Sequence, residues 1–362
     1  MIPTPTSCPV LPEPFDLQDL EPLLAALQAN SLPPQTIQFP AGSLGANGSL
    51  DLCKQNLGAA GCAYLVQNLR SHNLIHTLLL GTNAIGDEGA ARVAELIACG
   101  HLESVYLGCN LIGAAGLEHL TNALRNDQKV RALWLKRNPI GATGLRLISQ
   151  MLESNTTLRT LDVVNTSPDH ASMLELLGVI ATHPSLEYVY LSGNGLDTAE
   201  APALAQCLEQ NKLRGLYLSV NHLGDTGATQ LAAALQRNSS LEFLSLASNG
   251  IGDAGVIALA EAARQHPSLV SLDLGYAPST KALGAKPNAF GQACVPSILE
   301  LLRANCVLQD LNITPNQFDE ASKQAMLEVA RTLKRLSLGV KYAVREATPT
   351  HLDAQRIRSV YR

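Results

Sequence analysis

The chain has 362 residues, of which 46% are apolar but only 4% aromatic, and its net charge is −5. That length exceeds an ordinary single core, so it needs either two or more globular domains or one extended repeat element. The mild negative charge argues against a nucleic-acid binder, which carries a basic face, and no apolar run reaches the ~18 residues of a membrane-spanning helix.

Residues 1–45 read as an N-terminal arm and cap. The opening stretch MIPTPTSCPVLPEP is rich in proline and reads as an extended arm; it lacks the basic-then-apolar order of a secretory signal. DLQDLEPLLAALQAN (16–30) predicts a helix with Asp16 near its cap, and Ile37–Phe39 a short strand.

From 46 to 345 one unit recurs: L-x-x-L-x-L-x-x-N-x-I-G-x-x-G, then apolar residues at helical spacing. Its asparagine site falls at Gln55, Asn83, Asn110, Asn138, Thr166, Asn194, Asn221, Asn249, Ala277, Asn316 and Lys341, which makes about 11 repeats. The first nine of these sites are 27 or 28 residues apart.

The unit VRALWLKRNPIGATGLRLISQML (130–152) shows the physics. Val130, Leu133 and Leu135 point inward from a short strand, while the period of two sends Ala132, Trp134 and Lys136 to the other face. At Asn138 the strand ends, and a buried amide there can satisfy backbone groups that have lost their ladder partners. Gly141 and Gly144 bracket the start of a helix, where backbones approach closely or take positive φ. Leu145, Ile148, Ser149 and Leu152 then line one helix face. In sister units Asp87, Asp225 and Asp253 stand where a helix N-cap wants a carboxylate.

Two turns depart from the pattern: NTSPDHAS (165–172), with Thr166 for the asparagine, and GLDTAEAP (195–202), with Asp197 and Glu200 at the glycine sites. The ninth unit carries an insertion at about 277–292, read as a surface loop before a helix over Ser297–Arg303. Residues 346–362 form a C-terminal tail that either caps the last layer or stays loose.

The repeat, in units such as LLLGTNAIGDEGAARVAELI (78–97) and LSLASNGIGDAGVIALAEAA (244–263), resembles the ribonuclease-inhibitor-like class of leucine-rich repeat proteins. The resemblance implies an α/β fold: a curved leucine-rich-repeat solenoid (a horseshoe), with a parallel sheet on the concave face and helices on the convex face. Stacking agrees, because strands repeat at about 4.8 Å and helices at roughly 8–10 Å. Members of the class mostly bind another protein on the concave sheet. The class also holds Ran GTPase-activating proteins and bacterial effectors that act on a host protein, which remain alternatives for this chain.

The outward strand positions gather Tyr106, Trp134, Tyr188, Tyr190, Tyr217 and Phe243, out of eight tyrosines, five phenylalanines and one tryptophan in all. Arg131, Lys136 and Arg159 lie beside them. A leucine–alanine core does not need these rings, and large rigid rings on an open face suit an interface. These nine residues are the candidate partner-binding set, expected to face solvent and to meet an acidic or mixed-charge protein surface. Nucleic acid and membrane are not expected partners, and the chain is expected to be a monomer.

No GxSxG, GxxxxGK[ST], HExxH or dinucleotide glycine fingerprint occurs, so no enzyme is expected, and neither cofactor nor metal. The eight cysteines lack zinc-type spacing and read as free thiols of a reducing cytoplasm, which would be a host's cytosol for a secreted bacterial effector. His72, His183 and His266 lie near helix ends and read as solvated or as contacts with the negative end of the helix dipole.

Overall fold

A computed structural model describes residues 16–210, 212–276, 285–333, 336–340 and 351–357. The arm 1–14, residues 277–284 of the insertion, the repeat site Lys341 and residues 346–350 and 358–362 of the tail lie outside the described residues. The chain divides into two compact units. One is built on the chain up to Leu176 together with residues 351–357, and the other runs from Leu177.

In the first unit a 3-10 turn, Leu17–Leu20, leads into α1 (Glu21–Gln28), and Asp16 caps the turn by accepting from Gln18 N. Strands β1 (Ile37–Gln38), β2 (Ser43–Leu44) and β3 (Ser49–Asp51) pair antiparallel. From β3 onward the pairing is parallel through β4 (Thr77–Leu79), β5 (Ser104–Tyr106), β6 (Ala132–Trp134) and β7 (Thr160–Asp162). Helices α2 (Gly58–Leu69), α3 (Gly86–Ile97), α4 (Ala114–Leu124) and α5 (Gly141–Leu152) alternate with these strands. The division between the units falls within α6 (His170–Thr182).

The second unit repeats the plan. Strands β8 (Tyr188–Tyr190), β9 (Gly215–Tyr217), β10 (Phe243–Ser245), β11 (Ser271–Asp273), β12 (Asp310–Asn312) and β13 (Ser337–Gly339) pair parallel in chain order. They alternate with α7 (Ala201–Gln210), α8 (Gly224–Leu235), α9 (Asp253–Ala263), α10 (Val295–Ala304) and α11 (Glu320–Thr332). A last helix, α12 (Leu352–Arg356), belongs to the first unit.

Register holds the core rows together. Leu50, Leu78, Val105, Leu133 and Leu161 stand opposite one another in the first unit, as do Val189, Leu216, Leu244, Leu272 and Leu311 in the second. All are buried. Helical positions such as Leu145, Ile148 and Leu152 close the layer from the other side.

The asparagine sites form a ladder. Asn138 Oδ1 accepts from the N–H of Asn110 and of Ile112, and its Nδ2 donates to Leu107 O and Leu135 O. Each rung therefore satisfies backbone groups of its own repeat and of the one before. The expected rung at Ala277 is replaced by Asn288, which accepts from Asn249 N and Ile251 N and donates to Leu246 O and Leu274 O. The insertion thus precedes the turn, and the period to Asn316 returns to 28 residues.

A second ladder, not anticipated from the sequence, sits where helices hand over to strands. The side chains of Asn155, His183, Asn238, His266 and Asn305 each accept from backbone N–H groups two and three residues on. His183 and His266 are therefore buried acceptors and not solvated groups, and burial holds the His266 imidazole below its ordinary range.

The expected N-cap aspartates also work differently. Their helices begin at or just before them, so the carboxylates reach the following repeat: Asp87 accepts from Gly113 N, Asp225 from Gly252 N and Gly255 N, and Asp253 from Gly291 N. The two glycines of the turn have separate roles. Gly141 takes φ +63° in open space, whereas a Cβ on Gly144 would lie 2.3 Å from Ile140 Cγ2.

In the irregular turns local bonds replace these devices. Thr166 Oγ1 donates to Val163 O, and Glu200 Oε2 accepts from Asp197 N.

Candidate partner-binding face

The middle residue of each strand points to the core, so its two neighbours lie on the opposite, strand face. In β3 and in β10, β11 and β12 these neighbours are half-buried, as a bare strand face would be. In β4 to β7 they are buried as well.

In the first unit Tyr106 and Trp134 are register partners on this face. Tyr106 is 4% exposed and Trp134 0% exposed, so the expectation that they face solvent is not met. The strand alternation is as expected. What differs is a cover supplied by the chain itself. The His351 imidazole stacks on the Trp134 indole, with centroids 6.4 Å apart and planes within 13°. Thr160 Oγ1 donates to Asp353 Oδ2 at 2.8 Å, and Arg356 Nη2 donates to Glu103 Oε2 at 2.7 Å. Burial pushes the Glu103 carboxyl up, but the Arg356 guanidinium, with His76 and Arg131, outweighs it and holds the group below the usual carboxylate range. The described part of the tail, residues 351–357, thus lies on the strand face of the first unit.

Of the expected basic residues, Arg131 and Arg159 are exposed. Lys136 is buried, with Nζ 6.0 Å from the Tyr106 ring centroid, and its charge acts on Asp162. Asp162, the register partner of Trp134, is fully buried, and its Oδ2 has no hydrogen-bond partner among the described residues. Burial pushes its carboxyl up to about 7, against the opposing pull of Lys136 and the Val164 N–H.

The pH consequence follows from linkage. The folded chain holds this proton to about pH 7, whereas an unfolded aspartate releases it near ~3.9. The group's stabilising contribution is therefore complete below the unfolded value and is lost as pH rises through the folded one. Urea titrations at about pH 5 and about pH 8 are expected to show a loss on the order of 2 kcal/mol in the native chain that is absent in Asp162→Asn. Identical pH slopes for the two proteins would contradict this assignment.

In the second unit Tyr188 and Tyr190 are buried, against the expectation that they face solvent, because the Tyr217 ring and the Arg214 guanidinium lie against them, while Tyr217 and Phe243 are half-buried. The rings of Tyr190 and Tyr217 stack 4.0 Å apart and within 1° of parallel. Burial pushes the Tyr217 hydroxyl up. The Arg214 guanidinium lies 5.7 Å from the Tyr188 ring centroid and bridges Glu187 and Glu242. Gly215 makes room for this cluster: a Cβ there would lie 2.7 Å from Tyr188 Cδ1 and 2.9 Å from Tyr217 Cε2. Beside it runs a polar row in which Ser219 and Ser245 share a hydrogen bond, Ser245 donates to Asp273, and Asn312 donates to Asp273.

Among the described residues no group of histidine, cysteine, aspartate and glutamate is set to hold a metal ion. No described helix is long and apolar enough to cross a membrane. The seven described cysteines are free thiols, and burial pushes those of Cys62, Cys207 and Cys294 up to about 12.

Strand, asparagine turn and helix repeated in register define an α/β leucine-rich-repeat solenoid. Sequence comparison with known proteins agrees. Residues 237–260 match the family model described as Leucine Rich repeat. The chain is 30% identical to the ribonuclease inhibitor of Sus scrofa over 300 residues, covering 80% of this chain and 63% of the relative. It is 34% identical to the ribonuclease inhibitor of Mus musculus over 203 residues, covering 54% and 44% respectively. Among solved structures an internalin from Listeria monocytogenes covers 92% of this chain and 99% of its own length at 18% identity, with a TM-score of 0.43. The chain is a leucine-rich repeat protein of the ribonuclease-inhibitor-like class. It spans less than two thirds of the length of the curated relatives it matches.

Proposed function

We propose that this chain is a non-catalytic protein-interaction module that takes a partner protein on its strand face, through the aromatic residues and the charged groups beside them. The observation that carries this is the ring cluster of the second unit. Tyr190 and Tyr217 stack, and Arg214 lies against Tyr188, on the side of the sheet opposite the leucine core. Tyr217 and Phe243 form the half-open edge of this cluster, with the buried Tyr188 and Tyr190 behind them, and rings with a guanidinium have the composition of interface hot spots. Because Arg214 bridges two glutamates beside these rings, the face there is of mixed charge, which favours a mixed-charge partner surface over a purely acidic one. Its free thiols suit work in a reducing cytoplasm.

A photo-cross-linking residue at Phe243, on the strand face, is compared with one at Glu261, exposed on α9. The Phe243 probe is expected to trap a partner in lysate that the Glu261 probe does not, and Tyr217→Ala should remove that product. Equal trapping from both positions would defeat the proposal.

A further inference from the structure

The strand face of the first unit is already occupied by polypeptide. Residues 351–357 lie over β5, β6 and β7: Arg356 pairs with Glu103 beside β5, His351 stacks on Trp134 of β6, and Asp353 accepts from Thr160 of β7. The size fits, since a five-residue helix is about 7.5 Å long and two strand spacings measure about 9.6 Å.

The contact is polar as well as apolar. Leu352 is 63% exposed, whereas its neighbour Asp353 is 8% exposed. A segment held by hydrophobic collapse alone would bury the leucine and release the carboxylate. Here ring, carboxylate and guanidinium each meet a matching group, and Ala354 and Ile357 are buried as well.

The contact is also built to be displaced. A helix of five residues has no stability of its own, and its ion pair with Glu103 remains partly solvated. Tethering gives it an effective concentration of order millimolar, so a modest intrinsic affinity suffices to hold it in place.

We propose that the strand face over β5–β7 is a docking groove for a short helix of a partner protein carrying a ring, a carboxylate and a guanidinium at the spacing of His351, Asp353 and Arg356, and that residues 351–357 fill this groove in cis until such a helix displaces them. The inference deepens the strand-face reading above and rests on it.

The test uses the full chain and a fluorescent synthetic peptide of residues 348–362, followed by anisotropy. The full-chain variant Asp353→Ala/Arg356→Ala is expected to bind this peptide about ten-fold tighter than the native chain, because its own segment no longer competes. Adding Trp134→Ala to the variant should weaken binding about ten-fold, and a peptide carrying D353A/R356A should not bind. Arg356→Ala alone, at a partly solvated ion pair, provides a variant that keeps the fold. Equal binding by native chain and variants, or binding by none of them, overturns the proposal. Cross-linking at Phe243 lies in the other unit and involves no peptide, so its success alongside a failed peptide would sink this inference alone.

Discussion

Asn138→Ala is expected to lower stability by about 4 kcal/mol or more, among the largest losses a single substitution can cause. Asn138 is fully buried and makes four hydrogen bonds to backbone groups, two as acceptor and two as donor. Alanine leaves the N–H groups of Asn110 and Ile112 and the carbonyls of Leu107 and Leu135 without that partner. Each such buried group costs about 1–3 kcal/mol, reduced by whatever relaxation lets water in. Urea unfolding followed by circular dichroism measures the loss. A change under about 1 kcal/mol would mean that the ladder is not what closes the strand ends.

Two helical glycines, replaced by alanine, are expected to move stability in opposite directions. Both substitutions gain the same helix propensity, up to about 1 kcal/mol. Gly178 in α6 has no atom within 4 Å of the position a Cβ would take, so Gly178→Ala should keep that gain. A Cβ on Gly116 in α4 would lie 2.7 Å from the backbone Cα of Asp87 and 2.6 Å from its Oδ1. Asp87 accepts from Gly113 N, so the clash both separates two packed helices and disturbs the carboxylate that caps the second of them. Overpacking and cap loss together predict a net loss of about 3 kcal/mol for Gly116→Ala. Denaturation midpoints of both variants against the native chain provide the measurement, and a stabilised Gly116→Ala would refute the close packing of α3 and α4.

The repeat was legible because its signals are local. Strand leucines, the asparagine and the helix face recur within one unit, and the unit recurs at a constant step. Asn288 escaped because the count ran on from Asn249 by one period, yet Asn288, Phe290 and Gly291 hold the same offsets as Asn138, Ile140 and Gly141. That pattern was the available signal. The cross-repeat use of Asp87, Asp225 and Asp253 was not legible, since their acceptors' partners lie 26 to 38 residues away and depend on how layers stack.

The candidate face divides the same way. Alternation alone places Tyr106 and Trp134 on the strand face, and the register confirms the side they occupy. Whether that side is open depends on contacts such as Thr160–Asp353 and Glu103–Arg356, which join residues 193 and 253 positions apart. No periodicity carries that information. Burial of Asp162, and with it the carboxyl pushed up to about 7, depends on the same three-dimensional packing.

The chain contains one tryptophan, so its fluorescence reports on the strand face without interference. Acrylamide quenching of Trp134 in the native chain and in Asp353→Ala/Arg356→Ala tests most directly whether polypeptide occupies that face. The structure predicts a blue-shifted, poorly quenched indole in the native chain, and a red-shifted, readily quenched one in the variant. A native indole already open to acrylamide, and unchanged by the substitutions, would contradict the account.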